Sequence, residues 1–175
     1  AAFKVNCVQC HGSGAAGGAG YPNLNDDDWL WGGTPDQIHT TLRNGIRYTL
    51  NGETRDSQMP AFGADGILTP EQIADVANYT LTLSGGQADA AAAERGKPLF
   101  VENCASCHGE DGKGLTDFGS PNLTDGIWLF GDGLEAITAQ IHKPRQGVMP
   151  AWAGRLDDAT VKQLAVYVHS LGGGQ

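Results

Sequence analysis

No run in the 175 residues approaches the roughly 18 consecutive apolar residues of a membrane-crossing helix. No signal-peptide pattern opens the chain either. Strand-length alternation of apolar and polar residues is also missing, which excludes sheet-based folds and leaves an all-α class. Cations are scarce: 11 Lys and Arg against 20 Asp and Glu leave a net charge of −9. That balance disfavours nucleic acid and suits a basic protein partner. Methionine occurs only twice and cysteine only four times. Glycine, by contrast, is abundant at 26 residues, but it punctuates the chain without a strict period, so collagen-like and disordered readings fail. The length allows one ordinary domain or two small ones. A small domain buries a thin core and gains from an additional apolar body to pack against.

The four cysteines supply the reason for such a body. They stand in two copies of one motif, Cys7-Val8-Gln9-Cys10-His11 and Cys104-Ala105-Ser106-Cys107-His108. Cys-x-x-Cys followed at once by His is the attachment signature of c-type haem. Two thiols three residues apart on a helical turn reach both vinyl groups of one porphyrin and form thioethers, and the next imidazole meets the iron. A redox disulfide pair does not require the His. A Cys₄ zinc site brings its pairs within about 15–20 residues, far closer than these. The expectation is therefore two covalently attached haem c groups, held by Cys7, Cys10, Cys104 and Cys107, with His11 and His108 as iron ligands. Attachment of this kind belongs to an oxidising, exported compartment.

An internal repeat organises the rest. Phe3 and Asn6 match Phe100 and Asn103. Pro22-Asn23-Leu24 recurs as Pro121-Asn122-Leu123, Trp29-Leu30-Trp31-Gly32 as Trp128-Leu129-Phe130-Gly131, and Met59-Pro60-Ala61-Phe62 as Met149-Pro150-Ala151-Trp152. A closing helix at Leu68–Leu83, with Tyr79, recurs at Leu156–Leu171, with Tyr167. Thr34-Pro35-Asp36-Gln37 and Thr69-Pro70-Glu71-Gln72 each read as a capping box with Pro at the first helical position. Ile38 and Leu42 then share one face, as do Ile73, Val76, Ala77 and Leu83. Glycines end both closing helices. Pro98 is expected to kink the helix around it or to mark its start. Two domains follow: 1–84, whose first helix is truncated at the N-terminus, and 85–175, joined by Ser84-Gly85-Gly86-Gln87. Because the chain opens in mid-element, it is expected to be a fragment or processed piece.

Each iron needs a ligand opposite its His. The only two methionines, Met59 and Met149, stand in Met-Pro pairs at matched repeat positions, so they are the expected thioether ligands, Met59 for haem 1 and Met149 for haem 2. His39, His142 and His169 are the rival ligands, His39 first for haem 1, but none repeats and each is read as a surface or partly satisfied histidine. The Pro22 and Pro121 segments either accept the second ring N–H of His11 and His108 through a backbone carbonyl or are simply turns. The tryptophans and Phe130 are expected at porphyrin edges or in the core. One insertion, Arg47–Gln58, has no counterpart in the second copy. It is expected beside haem 1, with Arg47 and Arg55 neutralising propionates and the loop shielding that haem or setting its potential.

The run from Asn103 through Gly109, then Asp111-Gly112-Lys113-Gly114, Pro121 to Asp125, Trp128 to Gly131 and Gly147 to Trp152 resembles the CcoP/FixP dihaem subunit of cbb3-type cytochrome c oxidases, over essentially the whole chain. The resemblance implies two tandem cytochrome c domains, each wrapped around one covalently bound haem. It further implies a periplasmic electron-entry subunit that takes electrons from a donor c-type cytochrome or cytochrome bc1 complex. These would pass to the monohaem and haem–copper subunits, with no catalytic centre of its own. Such subunits are tethered to the inner membrane by an N-terminal segment that these residues lack. A freely soluble periplasmic dihaem carrier of the cytochrome c4 class is the alternative. A dihaem peroxidase would need an open iron position, against which two methionine-capped sites argue.

Overall fold

A computed structural model describes residues 1–172, and these form helices joined by turns, with isolated bridges but no strand among them. The helices are α1 (Ala2–Asn6), α2 (Val8–His11), α3 (Pro35–Asn44), α4 (Pro70–Leu83), α5 (Ala90–Asn103), α6 (Ala105–His108), α7 (Gly133–His142) and α8 (Asp158–His169). Both expected capping boxes are present. Thr34 and Thr69 each accept from the backbone N–H three residues on, and Gln37 and Gln72 reach back to the N-cap N–H. Four orphan donors at two helix starts are satisfied this way. Pro98 lies inside α5 and neither ends nor begins it.

The chain folds as two compact units, Ala1–Ser57 with Gln146–Gln175, and Gln58–Arg145. This differs from the sequential division at residues 84 and 85. In the first unit α8 packs against α1 and α3, and Tyr167 lies 5.2 Å from Phe3, ring centre to ring centre. In the second, α4 packs against α5 and α7, and Tyr79 lies 5.2 Å from Phe100. Each unit thus draws its closing helix from the other repeat. The repeat leaves the pairing open, because α4 and α8 bury matching apolar positions, Ile73, Val76 and Ala77 in one and Val161, Leu164 and Ala165 in the other. Connectivity breaks the tie. Six residues separate α4 from α5, and elements joined by so short a link pack as neighbours. The buried Asn78 secures the link, its side-chain oxygen accepting from Asp89 N–H at 2.9 Å.

Each unit has its own core. Phe3, Cys7, Ala15, Ile38, Leu42, Val161, Leu164, Ala165 and Val168 are buried together in the first, with Met149, Trp29 and Trp152 against them. Phe62, Leu68, Ile73, Val76, Ala77, Leu81, Phe100, Cys104, Leu123, Ile137 and Ile141 form the second, with Met59 and Trp128 against it. Burial of each such large apolar side chain contributes about 1.5–3 kcal/mol.

Candidate functional site

The two Cys-x-x-Cys-His motifs adopt one geometry. In each a short helix follows the first cysteine, and the His amide bonds that cysteine's carbonyl: His11 to Cys7 and His108 to Cys104, both at 2.9 Å. The paired thiols therefore sit on one turn and the imidazole follows directly. No disulfide joins them. Cys7 and Cys104 are buried, and burial pushes their thiols up, Cys104 to about 11, with the neighbouring cysteine adding to the effect.

The imidazoles are oriented from behind. His11 Nδ1 lies 3.1 Å from the Pro22 carbonyl, and His108 Nδ1 lies 3.2 Å from that of Pro121. The Pro segments therefore act as acceptors for the ring and are more than turns. With Nδ1 spent as the donor, Nε2 is the nitrogen left to take a metal. Burial holds both imidazoles below their usual pKa, the Pro carbonyls opposing it, which favours the neutral ring a ligand requires. The backbone behind each His is held as well, Gly17 N–H donating to His11 O at 2.9 Å and Gly114 N–H to His108 O at 2.7 Å. Both glycines have positive φ, and a side chain there would strike the Tyr21–Pro22 or Ser120–Pro121 backbone. Only glycine lets the Pro carbonyl approach the imidazole so closely.

The methionines are distributed across the repeats. Met149 packs in the unit and apolar core that hold Cys7, and Met59 in those that hold Cys104. The expected pairing of Met59 with the first motif and Met149 with the second is not the arrangement of these cores. His169 is structural, its Nδ1 lying 3.1 Å from Gly33 O. The His142 carbonyl accepts from the N–H groups of Gly63 and Ala64, and His142 lies in the second unit. His39, on α3, has a buried Nε2 with no hydrogen-bond partner. Among the described residues no three His, Cys, Asp or Glu side chains gather as a metal cluster. The donor set, two thiols and an oriented imidazole beside an apolar core edged by tryptophan and methionine, fits a c-type haem in each unit.

Residues 47–57 of the insertion belong to the unit that holds the first motif, and Ile46, the residue just before the insertion, meets Met149. Ile46 and Met149 exchange backbone bonds at 2.9 and 3.0 Å. Arg47 donates from Nε to Gly147 O at 2.7 Å and from Nη1 to Ser57 O at 2.9 Å. Arg55 stacks over Trp31 and donates to Gln37 O. Arg155, which the sequence did not single out, bonds Tyr48 Oη at 2.7 Å and lies over Tyr48 and Trp152. Its partner is 107 residues away, and no local pattern signals such a contact.

The family model for cytochrome C oxidase, cbb3-type, subunit III matches residues 1–79 and 91–168. Among curated proteins, the cbb3-type cytochrome c oxidase subunit FixP of Sinorhizobium medicae is 57% identical over 173 residues, 99% of this chain and 59% of its own length. The corresponding CcoP of Cereibacter sphaeroides is 56% identical over 175 residues, 100% of this chain and 60% of its own. FixP of Bradyrhizobium diazoefficiens is 55% identical over 177 residues, with 99% and 60% covered. The chain therefore spans about three fifths of the length of these relatives. Among the described residues no helix is long and apolar enough to cross a membrane.

Proposed function

Since the chain belongs to the cbb3-type cytochrome c oxidase subunit III family, whose cytochrome c character implies covalently bound haem, we propose that it carries electrons through two haems c. Cys7, Cys10 and His11 hold one, with Met149 as the second iron ligand. Cys104, Cys107 and His108 hold the other, with Met59. Bound there, the haems supply one-electron couples, and thioether ligation raises their potential relative to two imidazoles. The protein's own part is to fix each imidazole through a Pro carbonyl and to keep water from the methionine side with Trp29, Trp152 and Trp128. The observation that carries the pairing is the grouping of Met149 with Cys7, and of Met59 with Cys104, in separate apolar cores.

In this reading the chain works on the periplasmic side of the inner membrane. It takes electrons from a donor c-type cytochrome or cytochrome bc1 complex and delivers them to the monohaem and haem–copper subunits, where oxygen is reduced. A single-haem background tests the pairing. With Cys7→Ser and Cys10→Ser removing the first haem, Met59→Leu should abolish the near-infrared methionine-to-iron band, and Met149→Leu should leave it intact. The reverse result restores the sequential pairing. Acid–acetone extraction that releases haem, or one haem per chain in the unaltered protein, defeats the dihaem reading itself.

A further inference from the structure

The loops that leave the two imidazoles are built on one plan and differ in charge. Residues 12–21 of the first unit carry no charged side chain, whereas residues 109–120 of the second carry Glu110, Asp111, Lys113 and Asp117. Both loops are tied to their His carbonyl through Gly17 or Gly114. Beyond Gly114 the second loop closes on itself, Phe118 and Ser120 N–H donating to Leu115 O at 3.1 and 3.2 Å. That closure turns Leu115, Thr116, Asp117 and Phe118 outward, with Leu115 40% and Phe118 45% exposed. Glu110 and Asp111 are exposed on the same loop. Two apolar side chains thus stand among three carboxylates on a loop anchored directly to His108.

The same asymmetry holds for the units as wholes. The first contains eight acidic and six basic side chains, the second twelve and five, giving −2 and −7. The sequential halves 1–84 and 85–175, with nine and four against eleven and seven, come to −5 and −4 and conceal it. Only the exchange of closing segments separates the charge.

Resting on the electron-transfer reading above, we propose that electrons enter at the second unit, and that the surface around Leu115–Ser120 docks a small basic redox protein whose redox edge is ringed by Lys or Arg. Leu115 and Phe118 provide the dehydrated contact next to the haem-binding motif. Glu110, Asp111 and Asp117 attract the partner's cations and raise the encounter rate. Anionic partners, nucleic acid and acidic lipid included, are repelled by the same field. One electron leaves the donor, which is oxidised, and enters this unit, which is reduced; no bond forms or breaks and no proton moves.

The test uses the complete dihaem chain and, as probe, a mitochondrial-type cytochrome c with lysines around its haem edge, immobilised oxidised so that binding is read without electron flow. Two variants remove equal charge: Glu110→Gln with Asp111→Asn and Asp117→Asn in the second unit, and Asp27→Asn with Asp36→Asn and Glu53→Gln in the first. At low salt the second-unit variant should bind about tenfold more weakly and lose most of its salt dependence, while the first-unit variant stays within about twofold of the parent. Phe118→Ala should weaken the binding that persists at high salt. Equal losses in the two charge variants would reduce the effect to net charge and overturn the proposal, and a larger loss from the first-unit variant would overturn it by moving entry there. Haem content and spectra of every variant are measured first. Intact haems with unchanged binding overturn the docking surface alone, whereas a parent without two covalent haems overturns the electron-transfer reading beneath it.

Discussion

Arg47 combines a strained backbone, φ +50°, with a half-buried guanidinium that bonds two carbonyls on separate segments, Gly147 and Ser57. Burial lowers its pKa and Asp56 opposes this. The cation was expected to neutralise a propionate. Its hydrogen bonds make it a clamp on the stretch that carries Met149. Substitution separates the two roles. Arg47→Lys keeps the charge but has no planar fork to bridge two carbonyls. Under the clamp role both Arg47→Lys and Arg47→Ala lose the methionine band of the first unit at lower denaturant than the parent, each by about 1–2 kcal/mol. Under the charge role Lys behaves as the parent and only Ala lowers the potential. Redox titration beside a denaturant melt followed in that band distinguishes them.

Among the elements, the α4–α5 contact has an unusual requirement. Gly96 lies in the interior of α5, where glycine normally costs about 0.5–1 kcal/mol relative to alanine. It is buried, and a methyl group there would fall on the backbone of Asp75 and Val76 in α4. Helix propensity alone makes Gly96→Ala stabilising. The packing makes it destabilising, because backbone cannot yield as a flexible side-chain tip does, and overpacking costs about 1–3 kcal/mol. A lower melting temperature in the second unit is expected, with the first unit's spectrum unchanged. A raised melting temperature would mean that α4 does not lie on α5 in solution. The arginine just before it adds little: Arg95 pairs with Asp75 at 2.6 Å but is largely exposed.

For the molecule as a whole, the exchange of closing segments means that each half of the sequence contributes to both units. A protease site placed after Gln87, in the exposed link between α4 and α5, makes this visible. Cleavage there yields two pieces, and each supplies one Cys-x-x-Cys-His motif together with the methionine and closing helix of the other unit. The nicked protein should therefore elute from a sizing column at its original volume, retain both methionine bands, and separate only on denaturation. Two sequential domains would instead part into independent haem-bearing halves under native conditions.

The sequence by itself determined the all-α class, the capping boxes of α3 and α4 and the helical turn of each Cys-x-x-Cys-His motif. Capping boxes at Thr34 and Thr69, the apolar stripe of α4 and the Cys-x-x-Cys-His turns are set by interactions within about four residues, so local pattern suffices. The carbonyl partners of His11 and His108 were within reach as well, because Pro22 and Pro121 follow in the same loops. What only the tertiary structure decided is which copy completes which. Met59 and Met149, Tyr79 and Tyr167, and the apolar positions Ile73, Val76 and Ala77 of α4 and Val161, Leu164 and Ala165 of α8 match between the copies, so the periodicity of the repeat is the same under either pairing. The choice falls to the short α4–α5 link, to the close backbone approach at Gly96, and to the long-range clamp from Arg47 to Gly147, 100 residues away. The charge division follows from that choice, since exchanging segments redistributes the same 20 acidic and 11 basic side chains into units of −2 and −7. A repeat specifies its parts twice and leaves their pairing to chain connectivity.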